Sequence, residues 1–331
     1  MWPNMVKVGV LIPQMACAEL FSEERRAKLE SIAQVTWNDS DKQLDEDEAA
    51  AFLRDCDVAI GSWKTAIPTK RILDSCGNLK LWEHAAGSVK HFFTDDLRDR
   101  QLQIASCAPA IAKTVAEMVL GELIVGLRKI IPNSQQNRTE KGKKPANKLY
   151  LAKATVGIVG ASWVGRQVAG LLRPFGTRIL LYDPYMPAEN AAKLGMTKVD
   201  SLLELCATSD AITVHTPKTN ETYHLLKEAE FAAMKDDAIF INTSRGDCID
   251  ENALIRELQK GRLFAFLDVS DPEPAHLDNP IRTLPNVVYT SHLAGGTSYH
   301  IGDQAVSDIE AYASGKRPLM VVDWSMLATM A

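Results

Sequence analysis

The run VGIVGASWVGRQVAG at 156–170, followed by Asp183 in LLYDP, constrains this chain more than any other feature. An apolar segment, Val156 to Val159, meets Gly160, turns through Ala161 to Val164, and reaches Gly165 as a helical pattern begins. A second apolar segment, 178–182, then ends at Asp183, eighteen positions after Gly165. This spacing predicts a dinucleotide-binding βαβ unit. Gly160 allows the sharp turn, and Gly165 allows close helix–strand packing. The turn residues Gly160, Ser162, Trp163, Val164 and Gly165 bring free N–H groups and the positive end of a helix dipole to a pyrophosphate. Asp183 can accept hydrogen bonds from a ribose diol, and its charge repels a 2′-phosphate, so the expected cofactor is NAD and not NADP.

Ser162 stands where the middle glycine of G-x-G-x-x-G usually lets backbone approach the pyrophosphate. A serine there must donate its hydroxyl or hold the phosphate slightly farther off. The motif alone also fits an ordinary strand-to-helix turn; the strand before it, the helix after it and the acid beyond give it meaning.

At 331 residues the chain is long for one core and suggests two domains. Its net charge of −5 argues against a broad phosphate-binding surface, and KGKKP at 141–145 reads as a solvated loop, so no nucleic-acid partner is expected. The cysteines at 17, 56, 76, 107, 206 and 248 form no C-x-x-C. Neither a metal site nor a disulfide framework is expected, and reduced thiols fit a cytoplasmic protein. The first apolar segment, 6–12, is strand-like and too short for a signal peptide, and no run is long enough to span a membrane.

Short apolar runs alternate with helical patterns throughout, which predicts a parallel α/β class with doubly wound sheets. Candidate strands in the first third are 6–12, 57–61, 79–82 and 103–105, with a helix at 22–34. The acidic stretch 39–48 reads as a solvated connection or a helix start. A long helix is expected over 113–130, with Val115, Met118, Val119, Leu123, Leu127 and Ile130 on one face and Pro132 stopping it. The polar segment 133–148 looks like an excursion, either an arm over a partner subunit or a mobile loop. Six strands then follow at 155–159, 178–182, 211–215, 238–242, 264–269 and 287–290, the count of a complete nucleotide domain. A last helix runs over 297–314.

In an open parallel sheet, ligands gather beyond the carboxyl ends of the strands. There the chain places Asp183, HTPKT at 215–219, NTSRGD at 242–247, LDVSDPEP at 267–274 and TSHLAGG at 290–296. Taken singly, each has an ordinary explanation. Arg245 could satisfy a turn or pair with Asp247; Asp268 could cap a turn; Glu273 could be a surface carboxylate; His292 could be a core imidazole. Together they deliver an arginine, an acid and a histidine to one sheet edge. His215, Thr216, Pro217, Thr222, Thr243, Ser244 and Gly295 are the further candidate cofactor contacts on that edge.

These segments, with AAGSV at 85–89 and VAE at 115–117, occur in the order and spacing that resembles the D-isomer-specific 2-hydroxyacid dehydrogenase family over nearly the whole chain. The resemblance implies interconversion of a 2-oxo acid and a D-2-hydroxy acid with NAD(H). Arg245 would bind the substrate carboxylate and polarise its carbonyl. His292 would be the general acid/base, and Glu273 its partner, favouring the imidazolium. Asp268 would hold the nicotinamide carboxamide. Ala86, Gly87 and Ser88 match the loop that binds the carboxylate from the first domain. Related formate dehydrogenases look to carry glutamine in place of Glu273, so the glutamate points to carbonyl/hydroxyl chemistry. Ser162 for glycine and Ser291 for proline depart from the family pattern.

The resemblance also implies a Rossmann domain, 108–295, inserted into a flavodoxin-like substrate domain, 1–107 and 296–331. It further implies a homodimer contact through the helix from Lys113 and the arm after it. Trp63 could line the substrate pocket or sit in a core between helices, and Lys90 and His91 could meet a second anionic group or simply be solvated. Glyoxylate, hydroxypyruvate, pyruvate and bulkier oxo acids are all open as substrates. An NAD-binding scaffold resembling the transcriptional corepressors related to this family is the alternative to an enzyme.

Overall fold

The computed structural model describes residues 5–139, 144–145 and 147–330. The chain divides into two compact units, one made of 1–111 and 296–331 and the other of 112–295.

The first unit is a six-stranded sheet. In chain order its strands are β1 Lys7–Val10, β2 Gln34–Trp37, β3 Val58–Gly61, β4 Leu81–His84 and β5 Gln103–Ser106, with β13 Val321–Val322 added from the far end of the chain. Their order across the sheet is β13-β5-β4-β3-β1-β2, all parallel except β13, which runs antiparallel to β5. That is the flavodoxin-like arrangement with one returning strand. Buried side chains from β1, β3 and β4 pack with Ile301, Ala305, Val306 and Ile309 of the helix Tyr299–Ala313.

The second unit carries seven parallel strands: β6 Thr155–Val159, β7 Arg178–Tyr182, β8 Thr197–Lys198, β9 Ala211–Val214, β10 Ile239–Asn242, β11 Phe264–Leu267 and β12 Val287–Tyr289. Their order is β12-β11-β10-β9-β6-β7-β8. The chain starts at β6 in the middle, winds outward to β8, then crosses back to β9 and winds the other way, which is the Rossmann topology. The crossover leaves a switch point between β6 and β9, where a crevice opens at the strand ends. β6 and β9 are buried along their whole length, as strands covered on both faces must be.

Four features differ from the sequence expectations. The helix expected to reach residue 34 ends at Ile32, and β2 follows at once. β2 alternates exposed and half-buried positions at the sheet edge, a weak pattern that the preceding helical signal masks. β8, two residues long and not buried, makes a seventh strand where six were expected. Strand β4 lies over Leu81–His84, two residues beyond the 79–82 segment.

The long helix starts earlier than expected, at Ala108, and ends at Leu127. Pro132 does not stop it. The break is at Lys129, whose left-handed backbone (φ 53°) opens a second helix, Ile130–Gln136. Pro132 sits in the first turn of that helix, where its missing N–H costs nothing. Of the proposed arm, 140–143 and 146 lie outside the described residues. The acidic stretch resolves into a helix start: Asp45 and Glu48 form a capping box on the helix Glu46–Phe52.

One helix position is unexpectedly acidic. Glu122 is 8% exposed, and its Oε2 is buried without a hydrogen-bond partner. Burial, reinforced by the Asp268 carboxylate, pushes the Glu122 carboxyl from 4.5 up to about 8. Between those values the folded chain keeps a proton that the unfolded chain releases, so this group costs stability as pH rises. The cost is about 1.4 kcal/mol per pH unit before discount for local relaxation. Glu122→Gln should therefore change stability little near pH 4.5 and raise it by a few kcal/mol at pH 8. Thermal melts of both proteins at the two pH values check this; an equal shift at both would disprove a protonated Glu122.

Candidate active site

The glycine turn at the end of β6 is built as its sequence requires. Gly160 has φ of +94°, and a Cβ there would lie 2.9 Å from the His215 carbonyl oxygen of β9's end. A Cβ on Gly165 would lie 2.2 Å from the Gly160 oxygen, so the helix Trp163–Leu172 packs directly on the turn. Ser162 has a structural task besides the phosphate contact expected of it. It is the N-cap of that helix, its Oγ accepting from the Gly165 N–H at 3.4 Å. The serine thus satisfies one of the helix's unpaired donors. Trp163 and Val164, both half-buried, form the first turn.

Asp183, at the end of β7, is fixed by backbone donors. Its Oδ2 accepts from Ala161 N–H at 2.7 Å, and its Oδ1 from Tyr185 and Met186 N–H at 2.8 and 3.0 Å. A carboxylate has about four acceptor sites, so capacity for a hydroxyl remains. Arg166, which sequence reasoning missed, donates from Nε to the Ala161 carbonyl at 2.8 Å. The signal available was its place directly after Gly165.

Next along the sheet, His215 is buried at the end of β9. Its Nε2 lies 2.9 Å from Thr213 Oγ1, and burial pushes its imidazole down to about 3, so the ring is neutral. Pro217 and Thr222 close a tight turn, Thr222 Oγ1 donating to the Pro217 carbonyl at 2.6 Å. Thr216 and Thr243, at the ends of β9 and β10, are 9% and 8% exposed, and each has a buried Oγ1 without a hydrogen-bond partner among the described residues. Two orphaned hydroxyls on the edge that carries the glycine turn and Asp183 fit a dinucleotide, whose phosphates, ribose and carboxamide can use such groups.

The three outermost strands carry the charged set. Arg245 follows β10, Asp268 follows β11 and His292 follows β12, on three adjacent strand ends. Asn242 shapes the first of these loops: its Nδ2 donates to the Arg245 carbonyl at 3.0 Å, and its Oδ1 accepts from Ser244 N–H and Oγ. Arg245 is half-buried, and its Nη1 donates to the Ser244 carbonyl at 2.7 Å. It does not pair with Asp247, which takes Lys218 at 2.6 Å.

Asp268 is 1% exposed and is occupied within the protein. Its Oδ1 accepts from Thr290 Oγ1 at 2.6 Å and Leu293 N–H at 2.9 Å, and its Oδ2 from Ala294 N–H at 2.9 Å. Its carbonyl accepts from the His292 N–H at 2.8 Å. This carboxylate therefore shapes the 290–294 segment, a task the sequence did not suggest. His292 takes a left-handed backbone (φ 55°), and its side chain is 42% exposed, so it is not a core imidazole. Its Nδ1 lies 2.6 Å from Glu273 Oε1. The acid and the imidazole form one hydrogen-bonded pair through Nδ1. Tyr289, also missed by the sequence reading, braces the acid's loop: its OH lies 3.0 Å from Ser270 Oγ and accepts from Ala275 N–H at 3.1 Å. Gly295 is half-buried at the end of the same segment.

In the first unit, Ala86 is buried, and Gly87 and Ser88 are half-buried beyond β4. Ser106 Oγ donates to the Gly87 carbonyl at 2.5 Å and fixes this loop. Trp63, 42% exposed, is not in a core.

Known proteins bear on this geometry. Residues 120–294 match the family model of the D-isomer specific 2-hydroxyacid dehydrogenase NAD binding domain. The chain is 32% identical over 256 residues to a D-3-phosphoglycerate dehydrogenase of Methanocaldococcus jannaschii, covering 77% of this chain and 48% of that protein. It is 32% identical over 235 residues to the Homo sapiens glyoxylate reductase/hydroxypyruvate reductase, covering 69% of this chain and 71% of that one. Among solved structures, the NAD-complexed D-isomer specific 2-hydroxyacid dehydrogenase of Lactobacillus delbrueckii ssp. bulgaricus superimposes with a TM-score of 0.80 at 20% identity, covering 96% of this chain and 100% of that one. The chain belongs to the D-isomer specific 2-hydroxyacid dehydrogenase family, and its second unit is that family's NAD-binding domain. It spans about half the length of the archaeal D-3-phosphoglycerate dehydrogenases it matches.

One packing contact joins the arginine loop to the acid's loop. A Cβ on Gly246 would lie 2.1 Å from the Ser270 carbonyl carbon and oxygen. Gly246→Ala must push these two segments apart and should destabilise the protein by about 1–3 kcal/mol. The control is Gly170→Ala, where a Cβ meets nothing within 4 Å and helix propensity favours alanine. A lowered melting temperature for the first and an unchanged or raised one for the second is expected; equal melting temperatures would refute the contact.

Proposed function

We propose that this protein is an NAD(H)-dependent oxidoreductase that interconverts a 2-oxo acid and a D-2-hydroxy acid. The observation that carries the reading is the Glu273–His292 pair, Nδ1 to Oε1 at 2.6 Å, on the sheet edge that also bears Arg245 and the dinucleotide turn. The same chemistry is named for several of its relatives, among them glyoxylate and hydroxypyruvate reductases.

Each role answers a physical need. The Arg245 guanidinium presents a planar fork that holds the substrate carboxylate and draws electron density from the adjacent carbonyl. NADH held at the dinucleotide turn would supply the hydride for the carbonyl carbon. His292 gives its Nε2 proton to the carbonyl oxygen as charge develops there, while Glu273 accepts the Nδ1–H hydrogen bond and orients the ring. In the reverse direction the imidazole takes the hydroxyl proton. Asp268 presents the carboxamide side of the nicotinamide through its remaining acceptor capacity, and Thr216, Thr243, Ser244 and Gly295 line that end of the cofactor site. Asp183 accepts from the adenosine ribose. A soluble, cytoplasmic homodimer joined through the helix Ala108–Leu127 completes the reading.

Adding NADH and a panel of small and bulky 2-oxo acids to the purified protein should consume nicotinamide absorbance with at least one of them. Binding of NADH with no turnover across the panel would end the catalytic proposal. His292→Gln should lower kcat by about 10²- to 10⁴-fold, the usual worth of a positioned proton donor, with NADH affinity intact. A comparable loss of NADH binding would instead make the 290–294 segment structural.

A further inference from the structure

A hydrogen bond near the cofactor turn has no part in the chemistry described so far. Tyr185, two residues past Asp183, donates its OH to Oε2 of Glu221. Tyr185 follows β7, and Glu221 lies in the turn that follows β9. Strands β7 and β9 are the two neighbours of β6. The bond therefore links the connections on either side of β6, at the strand end that carries the glycine turn.

The consequence is electrostatic. The Asp183 carboxylate is fixed by the N–H groups of Ala161, Tyr185 and Met186. Glu221 is exposed, and its Tyr185 bond draws it toward the same strand end. Both carboxylates act on the Tyr185 hydroxyl: the hydrogen bond it donates to Glu221 comes first, then burial, and the charges of Glu221 and Asp183 add to these, raising the phenol above its usual range. The surrounding cations are turned to internal acceptors. Lys218 pairs with Asp247 at 2.6 Å, Lys198 Nζ donates to the Met186 carbonyl at 2.9 Å, and Arg166 Nε donates to the Ala161 carbonyl at 2.8 Å.

We propose that Glu221, held across the end of β6 by Tyr185, is a second carboxylate that works with Asp183 to select against a nucleotide carrying a 2′-phosphate. The inference rests on the dinucleotide reading of this edge and adds a determinant to it. A phosphate carries about −1.5 to −2 charge, so a nearby carboxylate repels it while leaving a ribose hydroxyl almost unaffected. Tyr185 is a positioning residue: without its hydroxyl the glutamate is free to swing into water.

The test is a fluorescence titration with NADH and NADPH, read as the ratio of their Kd values. In Glu221→Gln the NADPH-to-NADH ratio should fall by about three- to tenfold at low salt, the scale of a screened surface charge acting on a dianion. The gain should shrink in high salt. Tyr185→Phe should move the ratio the same way by a smaller factor, and Asp183→Ala sets the scale for losing the ribose contact itself. A ratio that changes less than twofold in Glu221→Gln, while Asp183→Ala moves it, overturns this inference and leaves the dinucleotide reading standing. Failure of the unaltered protein to bind either nucleotide overturns both.

Discussion

The Asp268 carboxylate is the interaction on which the charged edge depends. It is buried, and an isolated buried carboxylate is too costly to keep unless donors surround it. Here Thr290 Oγ1 and the N–H groups of Leu293 and Ala294 surround it, and all three come from the segment that carries His292. The same residue's N–H bonds back to the Asn242 carbonyl of β10. One buried residue thus ties the ends of β10, β11 and β12 together, by its backbone N–H on one side and its carboxylate on the other. Removing it would leave three donors unpaired and the histidine's left-handed backbone without support.

The proposed proton donor and its partner are comparatively exposed, with His292 at 42% and Glu273 at 37%. Their geometry comes from residues beneath them. Asn242 holds the arginine loop, Tyr289 holds the acid's loop, and Gly246 lets the two loops touch. This division is physically sensible. A proton donor must reach solvent-accessible substrate, so it cannot be locked by burial; its precision has to come from satisfied polar groups one layer down.

Much of this was legible before any coordinates. The glycine turn, the acid at the end of β7, and the parallel α/β class follow from period and spacing, which are local properties. The doubly wound pair of sheets and the family also follow, since several motifs must occur in order. What stayed hidden is local structure with weak pattern. β2 and β8 are short edge strands with little burial to impose alternation. The helix break at Lys129 depends on one left-handed residue, which apolar spacing does not announce, and Pro132 misled because a proline in a first turn resembles a proline that ends a helix. Within the site, residue types could be read but not their present partners. Ser162 also caps a helix, and Asp268 also holds a loop, tasks that their residue types alone do not reveal. Side-chain hydrogen bonds between distant segments leave no periodic trace in sequence.

The hydroxyls that remain unpaired are informative for the same reason. A buried polar atom without a partner costs about 1–3 kcal/mol, so folded proteins rarely tolerate it idly. Thr216 and Thr243 carry two such atoms, at the ends of neighbouring strands β9 and β10. His215, between β9 and Thr216, is kept neutral by burial and adds no charge to the crevice. The edge is therefore polar, anionic at the Asp183 end and cationic at Arg245. A molecule that supplies acceptors to the hydroxyls, a diol to Asp183 and an acid to Arg245 would relieve each deficit at once. Nicotinamide dinucleotide carries acceptors and a ribose diol, and the small oxo acid of the proposed reaction adds a carboxylate for Arg245.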